Sequence, residues 1–124
     1  MVVDQCPCSG TTLARLVRPA VLAVLAGGPQ HGYLVRERLA ALRMFRQSLP
    51  DYTSVYRVLK SMEEESLLTS SWDLSTNGPA RRVFALTRAG RTCLRRWRVT
   101  LEEYGLAMRD LLAEVRSAVK ETTA

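Results

Sequence analysis

The run Asp51 to Glu65, followed by two strand-like stretches around Asn77-Gly78-Pro79, constrains this chain more than any other part of it. At 3.6 residues per turn, Val55, Val58, Leu59 and Met62 share one side of a helix, and Thr53, Tyr56, Arg57 and Lys60 share the other. One face suits an apolar core and the other a polar partner. Asp51 is a good N-cap. Leu67 to Leu74 and Arg81 to Leu86 read as the two strands of a hairpin, with Arg81 and Arg82 just past its tip. Hydrogen-bonding and cationic groups therefore recur on two neighbouring elements, Thr53, Ser54, Tyr56, Arg57 and Lys60 on one, Arg81 and Arg82 on the other. A helix beside a basic wing is an arrangement that holds duplex DNA.

The elements on either side complete the pattern. Met1 to Thr12 has no periodicity and reads as an irregular head. Leu13, Leu16, Val17, Ala20, Val21, Val24 and Leu25 carry a helical period that either bends at Pro19 or begins there, and Gly27-Gly28-Pro29 ends it. A second helix is expected from about His31 to Arg43, with Val35, Leu39 and Leu42 inward. Ser48-Leu49-Pro50 breaks the chain before the third. Thr87 caps a last, long helix reaching toward Glu121. The expected fold is mainly α with a small β-hairpin: a head at 1–12, a winged helix-turn-helix at 13–87 and a C-terminal helix at 88–124.

That last helix has its own pattern. Leu94, Trp97, Leu101, Tyr104, Met108, Leu111, Val115 and Ala118 alternate three- and four-residue spacings, which is the seam of a coiled coil. The first helix is too short to cover such a length, so a second copy of the chain is the expected partner, with Leu94 through Val115 as the dimer interface.

Charge points the same way. The chain of 124 residues has 18 Lys/Arg against 12 Asp/Glu, and residues 1–100 hold 15 of the former and 7 of the latter. The basic excess thus lies in the front part. Only Lys60 and Lys120 are lysine, and arginine suits bidentate pairing with phosphate or guanine, although arginine richness can equally reflect genome composition. No apolar run approaches a membrane span, Ala20 to Ala26 being the best, and Met1-Val2-Val3-Asp4 is unlike a secretory signal. The expectation is a cytoplasmic protein with no membrane partner.

Four strings, in this order and spacing, resemble the PadR family of bacterial transcriptional regulators. They are Pro19-Ala20-Val21-Leu22-Ala23-Val24-Leu25, His31-Gly32-Tyr33, Val55-Tyr56-Arg57-Val58-Leu59-Lys60-Ser61-Met62-Glu63, and Gly78-Pro79-Ala80-Arg81-Arg82-Val83-Phe84-Ala85-Leu86-Thr87-Arg88-Ala89-Gly90. The resemblance spans residues 19–97. It implies a homodimeric winged-helix repressor whose third helix enters the major groove, whose wing touches backbone or minor groove, and whose last helix builds the dimer. It also implies an inverted-repeat operator and a small-molecule effector, which Trp97 could help to hold between protomers. Two departures are Tyr52-Thr53, where the family often has a glycine-containing turn, and Ser66, where it usually has glycine.

Other function classes fit less well. A single histidine, no nucleophile elbow and no phosphate-cradling loop leave no catalytic constellation, so no enzyme and no cofactor is expected. One alternative is a winged helix that binds another protein. The other is a metal or redox sensor using Cys6 and Cys8, with Cys93 as a further ligand, although Cys-x-Cys is not the usual zinc spacing and an odd number of cysteines suits reduced thiols. Trp72 and Trp97 are expected in core or interface.

Overall fold

The computed structural model of the protein describes residues 16–46, 51–75 and 78–123. The elements are α1 (Val17–Leu25), β1 (Gln30–His31), α2 (Gly32–Ala40), a single 3-10 turn (Arg43–Phe45), α3 (Tyr52–Glu64), β2 (Leu68–Asp73), β3 (Arg81–Leu86) and α4 (Arg88–Thr123). The chain divides into two compact units, one ending at Leu94 and one beginning at Arg95, and α4 contributes to both. Among the described residues no helix is long and apolar enough to cross a membrane. Cys6 and Cys8 lie outside the described residues, as does the Asn77 of the turn.

The front unit is built around α1, which is apolar almost all round and buries Val21, Leu22 and Leu25 completely or nearly so. Pro19 neither bends this helix nor starts it. It is the third helical residue, where the missing N–H is one of those that have no acceptor within the helix. Val35 and Leu39 of α2 and Val55, Leu59 and Met62 of α3 complete the core from the other side. The apolar face read from the α3 sequence is therefore the buried one, with Val58 only half-buried.

Two expectations for α2 are corrected. The helix stops at Ala40 rather than Arg43, and Leu42 is extended and exposed rather than inward. The cause is Phe45: the extended backbone at Leu42 and the 3-10 turn after it carry this ring into the core, where it is fully buried. One large ring displaces one leucine.

The sheet has three antiparallel strands in the order β1-β3-β2, one more than the expected hairpin. β1 is two residues long and adds Gln30 and His31 opposite Phe84 and Val83, which ties the start of α2 to the wing. β2 and β3 run in register from Leu68↔Leu86 to Asp73↔Arg81. Phe84 is the buried ring of the hairpin and packs edge-on against Tyr56 of α3, with ring centres 6.0 Å apart.

Both termini of the third helix are closed by local bonds. Asp51 caps α3 by accepting from the Ser54 N–H at 2.8 Å. At the other end the Ser66 N–H donates to the Glu63 carbonyl at 2.9 Å and the Leu67 N–H to the Met62 carbonyl at 3.0 Å, the paired bonds of a Schellman cap. Such a cap needs a left-handed residue, and here it is Ser66, at φ 65°. Thr87 caps α4, its Oγ1 accepting from the Gly90 N–H at 3.0 Å. The same hydroxyl donates back to the Ser66 and Leu67 carbonyls, and the Thr87 N–H donates to Leu67 as well.

In the second unit α4 continues without a break through Gly105, which has open space where a Cβ would be. From residue 101 onward every described side chain is exposed, including Leu101, Tyr104, Met108, Leu111 and Val115. Leu112 and Val119, one position after seam residues, widen the apolar stripe.

The left-handed serine yields a direct test of the cap. Ser66→Gly removes the Cβ penalty at φ 65° and should raise unfolding free energy by about 0.5–1 kcal/mol in urea titrations. A variant no more stable than the parent would show that the cap carries no strain.

Candidate nucleic-acid interface

The face of α3 opposite the core presents Thr53 and Arg57 to solvent, with Ser54, Tyr56 and Lys60 half-buried at its margins. These five residues divide by what they already bond. Ser54 helps the cap: its backbone N–H first, and then its hydroxyl, hold the Asp51 carboxyl below the usual carboxylate range. Tyr56 is turned toward the hairpin, against Phe84. Arg57 and Lys60 form no ion pair with any described residue.

The wing cations differ from each other. Arg81 is exposed and has no ion-pair partner among the described residues. Arg82 is half-buried and committed. Its Nε donates to Ser70 Oγ at 2.9 Å, its Nη2 approaches Glu63 Oε1 at 3.5 Å, and its guanidinium lies 5.3 Å from the centre of the Trp72 ring. Ser70 in turn donates to Glu63 Oε2. This network fastens the hairpin to the last turn of α3, so Arg82 sets the angle between wing and helix. Sequence reading treats adjacent arginines alike; register separates them, because neighbours on a strand point to opposite faces.

A second bond orients the other side of the wing. His31 Nε2 donates to Asp73 Oδ2 at 3.0 Å, reaching across β3 from β1 to β2. The Ser75 hydroxyl, then the Ser75 N–H, then His31 hold the Asp73 carboxyl down to about 2, so it is ionised at neutral pH. The lone histidine is thus a strand-to-strand tie.

Between the starts of α2 and α3 and the hairpin lies a cavity of about 570 Å³, lined by His31, Gly32, Tyr33, Tyr52, Tyr56, Trp72, Ala80, Arg81 and Arg82. Tyr33, Tyr52 and Tyr56 form a chain of rings with centres 6.3 and 6.2 Å apart. Gly32 belongs to this packing: a Cβ there would be in van der Waals contact, 3.4 Å from Phe84 and 3.5 Å from the Tyr52 hydroxyl. Trp72 is not in the core; it is 57% exposed on the wing. Tyr33, Tyr52 and Trp72 were not legible as site residues, because they are far apart in sequence and only the three-stranded sheet brings them together.

Of the seam, Leu94 and Trp97 are half-buried and Leu101, Tyr104, Met108, Leu111 and Val115 exposed. Cys93 is a half-buried free thiol, and no group of three His, Cys, Asp or Glu side chains among the described residues could hold a metal.

Comparison with known proteins gives a consistent result. A Thermoplasma acidophilum structure solved as a candidate transcriptional regulator is 27% identical, with a TM-score of 0.70 over 82% of this chain and 95% of that one. A PadR family transcription regulator from Clostridium difficile is 19% identical, with a TM-score of 0.68 over 78% and 98%. Bacillus subtilis PadR, solved in complex with operator DNA, is 20% identical, with a TM-score of 0.58 over 67% of this chain and 45% of that one. The last two likenesses bear on the winged-helix fold. No match is found among curated proteins. The profile of the Transcriptional regulator PadR-like family matches residues 21–96, more than half of the chain, and the protein therefore belongs to that family of transcriptional regulators.

Proposed function

We propose that this regulator binds an inverted-repeat operator in double-stranded DNA as a homodimer and represses transcription there until a small-molecule effector releases it. The observation that carries the DNA part is the juxtaposition of uncommitted Arg57 and Lys60 on the exposed face of α3 with Arg81 on a wing braced against the same helix. In this reading α3 lies in the major groove with Thr53, Arg57 and Lys60 toward the bases, Tyr56 on the hairpin side and Ser54 at the cap, and Arg81 meets the phosphate backbone. The operator-bound Bacillus subtilis protein of the same fold supports it. Arg82 serves by holding the wing.

Dimerisation rests on the second unit. A 36-residue helix whose apolar stripe is exposed for most of its length has a large apolar surface to remove from water, and two copies joined along Leu101, Tyr104, Met108, Leu111 and Val115 would remove it. Two recognition helices presented together then match two half-sites, about one helical turn apart. Trp97, at the start of the seam, is where an effector would meet both protomers.

Selection of duplexes from a random-sequence pool tests the reading: the parent should enrich an inverted repeat. On that duplex Arg57→Ala should cost about 1–3 kcal/mol and relax base preference. Arg81→Ala, which removes one phosphate contact from each protomer, should weaken all sequences alike and reduce the salt slope of the dimer by about 1.8. Variants that bind like the parent would remove these residues from the interface.

Leu101→Glu with Met108→Glu should convert a dimer into a monomer in sedimentation and lower operator affinity. A parent already monomeric at micromolar concentration would contradict the seam.

The brace has a separate signature. A double-mutant cycle of Glu63→Ala and Arg82→Ala in urea unfolding should return a coupling of about 0.5–2 kcal/mol, with the salt slope of DNA binding unchanged by Arg82→Ala. Additive effects, or a reduced slope, would make Arg82 a phosphate contact instead.

A further inference from the structure

We infer that the aromatic cavity between α3 and the hairpin is the seat of one sugar–phosphate strand of the duplex, with Tyr33, Tyr52 and Trp72 as contacts in addition to Arg81. This rests on the DNA reading above. It begins from a geometric fact about duplexes: the major groove and the adjacent minor groove are separated by a single backbone strand. A protein that places a helix in one and a hairpin in the other must pass that strand between the two elements, and here the space between them is the cavity.

Its lining suits such an occupant. Tyr33, Tyr52 and Trp72 are 58%, 44% and 57% exposed, an unusual concentration of large rings at the surface of one small unit. Rings offer flat apolar faces to deoxyribose, and tyrosine hydroxyls can donate to phosphate oxygens. The Tyr52 hydroxyl stands beside Gly32, the first residue of α2, where backbone N–H groups have no acceptor within the helix. Charge is complementary as well. Arg81, which has no ion-pair partner among the described residues, is in the lining, while the charge of Arg82 beside it is engaged by Glu63 and the carboxylate of Asp73 by His31 and Ser75. The apolar part of the lining and the free cation Arg81 thus match the two halves of a sugar–phosphate repeat.

The experiment uses the whole chain and the duplex selected by the parent. Tyr33→Phe and Tyr52→Phe, which leave the rings in place, should each weaken binding about 2- to 10-fold with the salt slope unchanged, since a hydroxyl displaces no counterion. Trp72→Ala should weaken it further. Ethylating single phosphates should block the parent at one or two phosphates between the two contacted grooves, and Trp72→Ala should lose hydroxyl-radical protection of the sugars there. Circular dichroism checks folding. A Tyr33→Phe, Tyr52→Phe double variant that binds within 2-fold of the parent, or ethylation that interferes nowhere between the grooves, overturns the assignment while leaving DNA binding intact. So would benzoate quenching tryptophan fluorescence in the parent but not in Trp72→Ala, with DNA affinity of the tyrosine variants unchanged, since the cavity would then take a small aromatic anion. A parent that enriches no duplex defeats the DNA reading and this one with it.

Discussion

The backbone of Leu67 is the joint on which the remainder of the front unit depends. Its N–H closes the Schellman cap of α3, and its carbonyl accepts from both the backbone and the hydroxyl of Thr87. The start of α4 comes so close to it that a Cβ on Gly90 would lie 2.2 Å from the Leu67 oxygen, a distance no side chain tolerates. One residue's backbone therefore fixes where α3 ends, where the hairpin begins and where the long helix departs. The geometry requires glycine at 90 and a hydrogen-bonding hydroxyl at 87, and both residues are part of the string that resembles the family.

From that joint outward the wing is held at two further points, each on a different face of the hairpin. Glu63, Ser70 and Arg82 brace one face to α3, and His31 with Asp73 secures the other to β1. Part-buried polar ties of this kind contribute modestly to stability and strongly to uniqueness of geometry, since each has one satisfied arrangement. In the proposed complex, where helix and hairpin meet two grooves at once, the angle between them matters more than the affinity of either alone. The ties come from residues that composition would count as generic surface charge.

Much of this was legible in the sequence because it rests on local rules. The α3 face, its Asp51 cap, the hairpin strands, the Thr87 cap and the length of α4 follow from periodicity and from residues within one turn of their partners. What was not legible depends on tertiary context. β1 is two residues long, too short to show any period, and exists only because β3 is beside it. Phe45 enters the core through a backbone turn at Leu42 that no spacing encodes. Arg82 and Trp72 change meaning once strand register puts them across from each other. Tyr33 and Tyr52 acquire a shared cavity only when the α2 and α3 starts are brought together.

The central claim, that one continuous surface made of the α3 face, the aromatic cavity and the wing receives duplex DNA, is most directly tested by amide NMR during titration with a selected duplex. The largest shifts should fall on Thr53, Arg57, Lys60, Tyr33 and Arg81, with Val21 and Leu22 in the interior of α1 little changed. Shifts confined to α4, or centred on α1 with Arg57 and Arg81 silent, would contradict it.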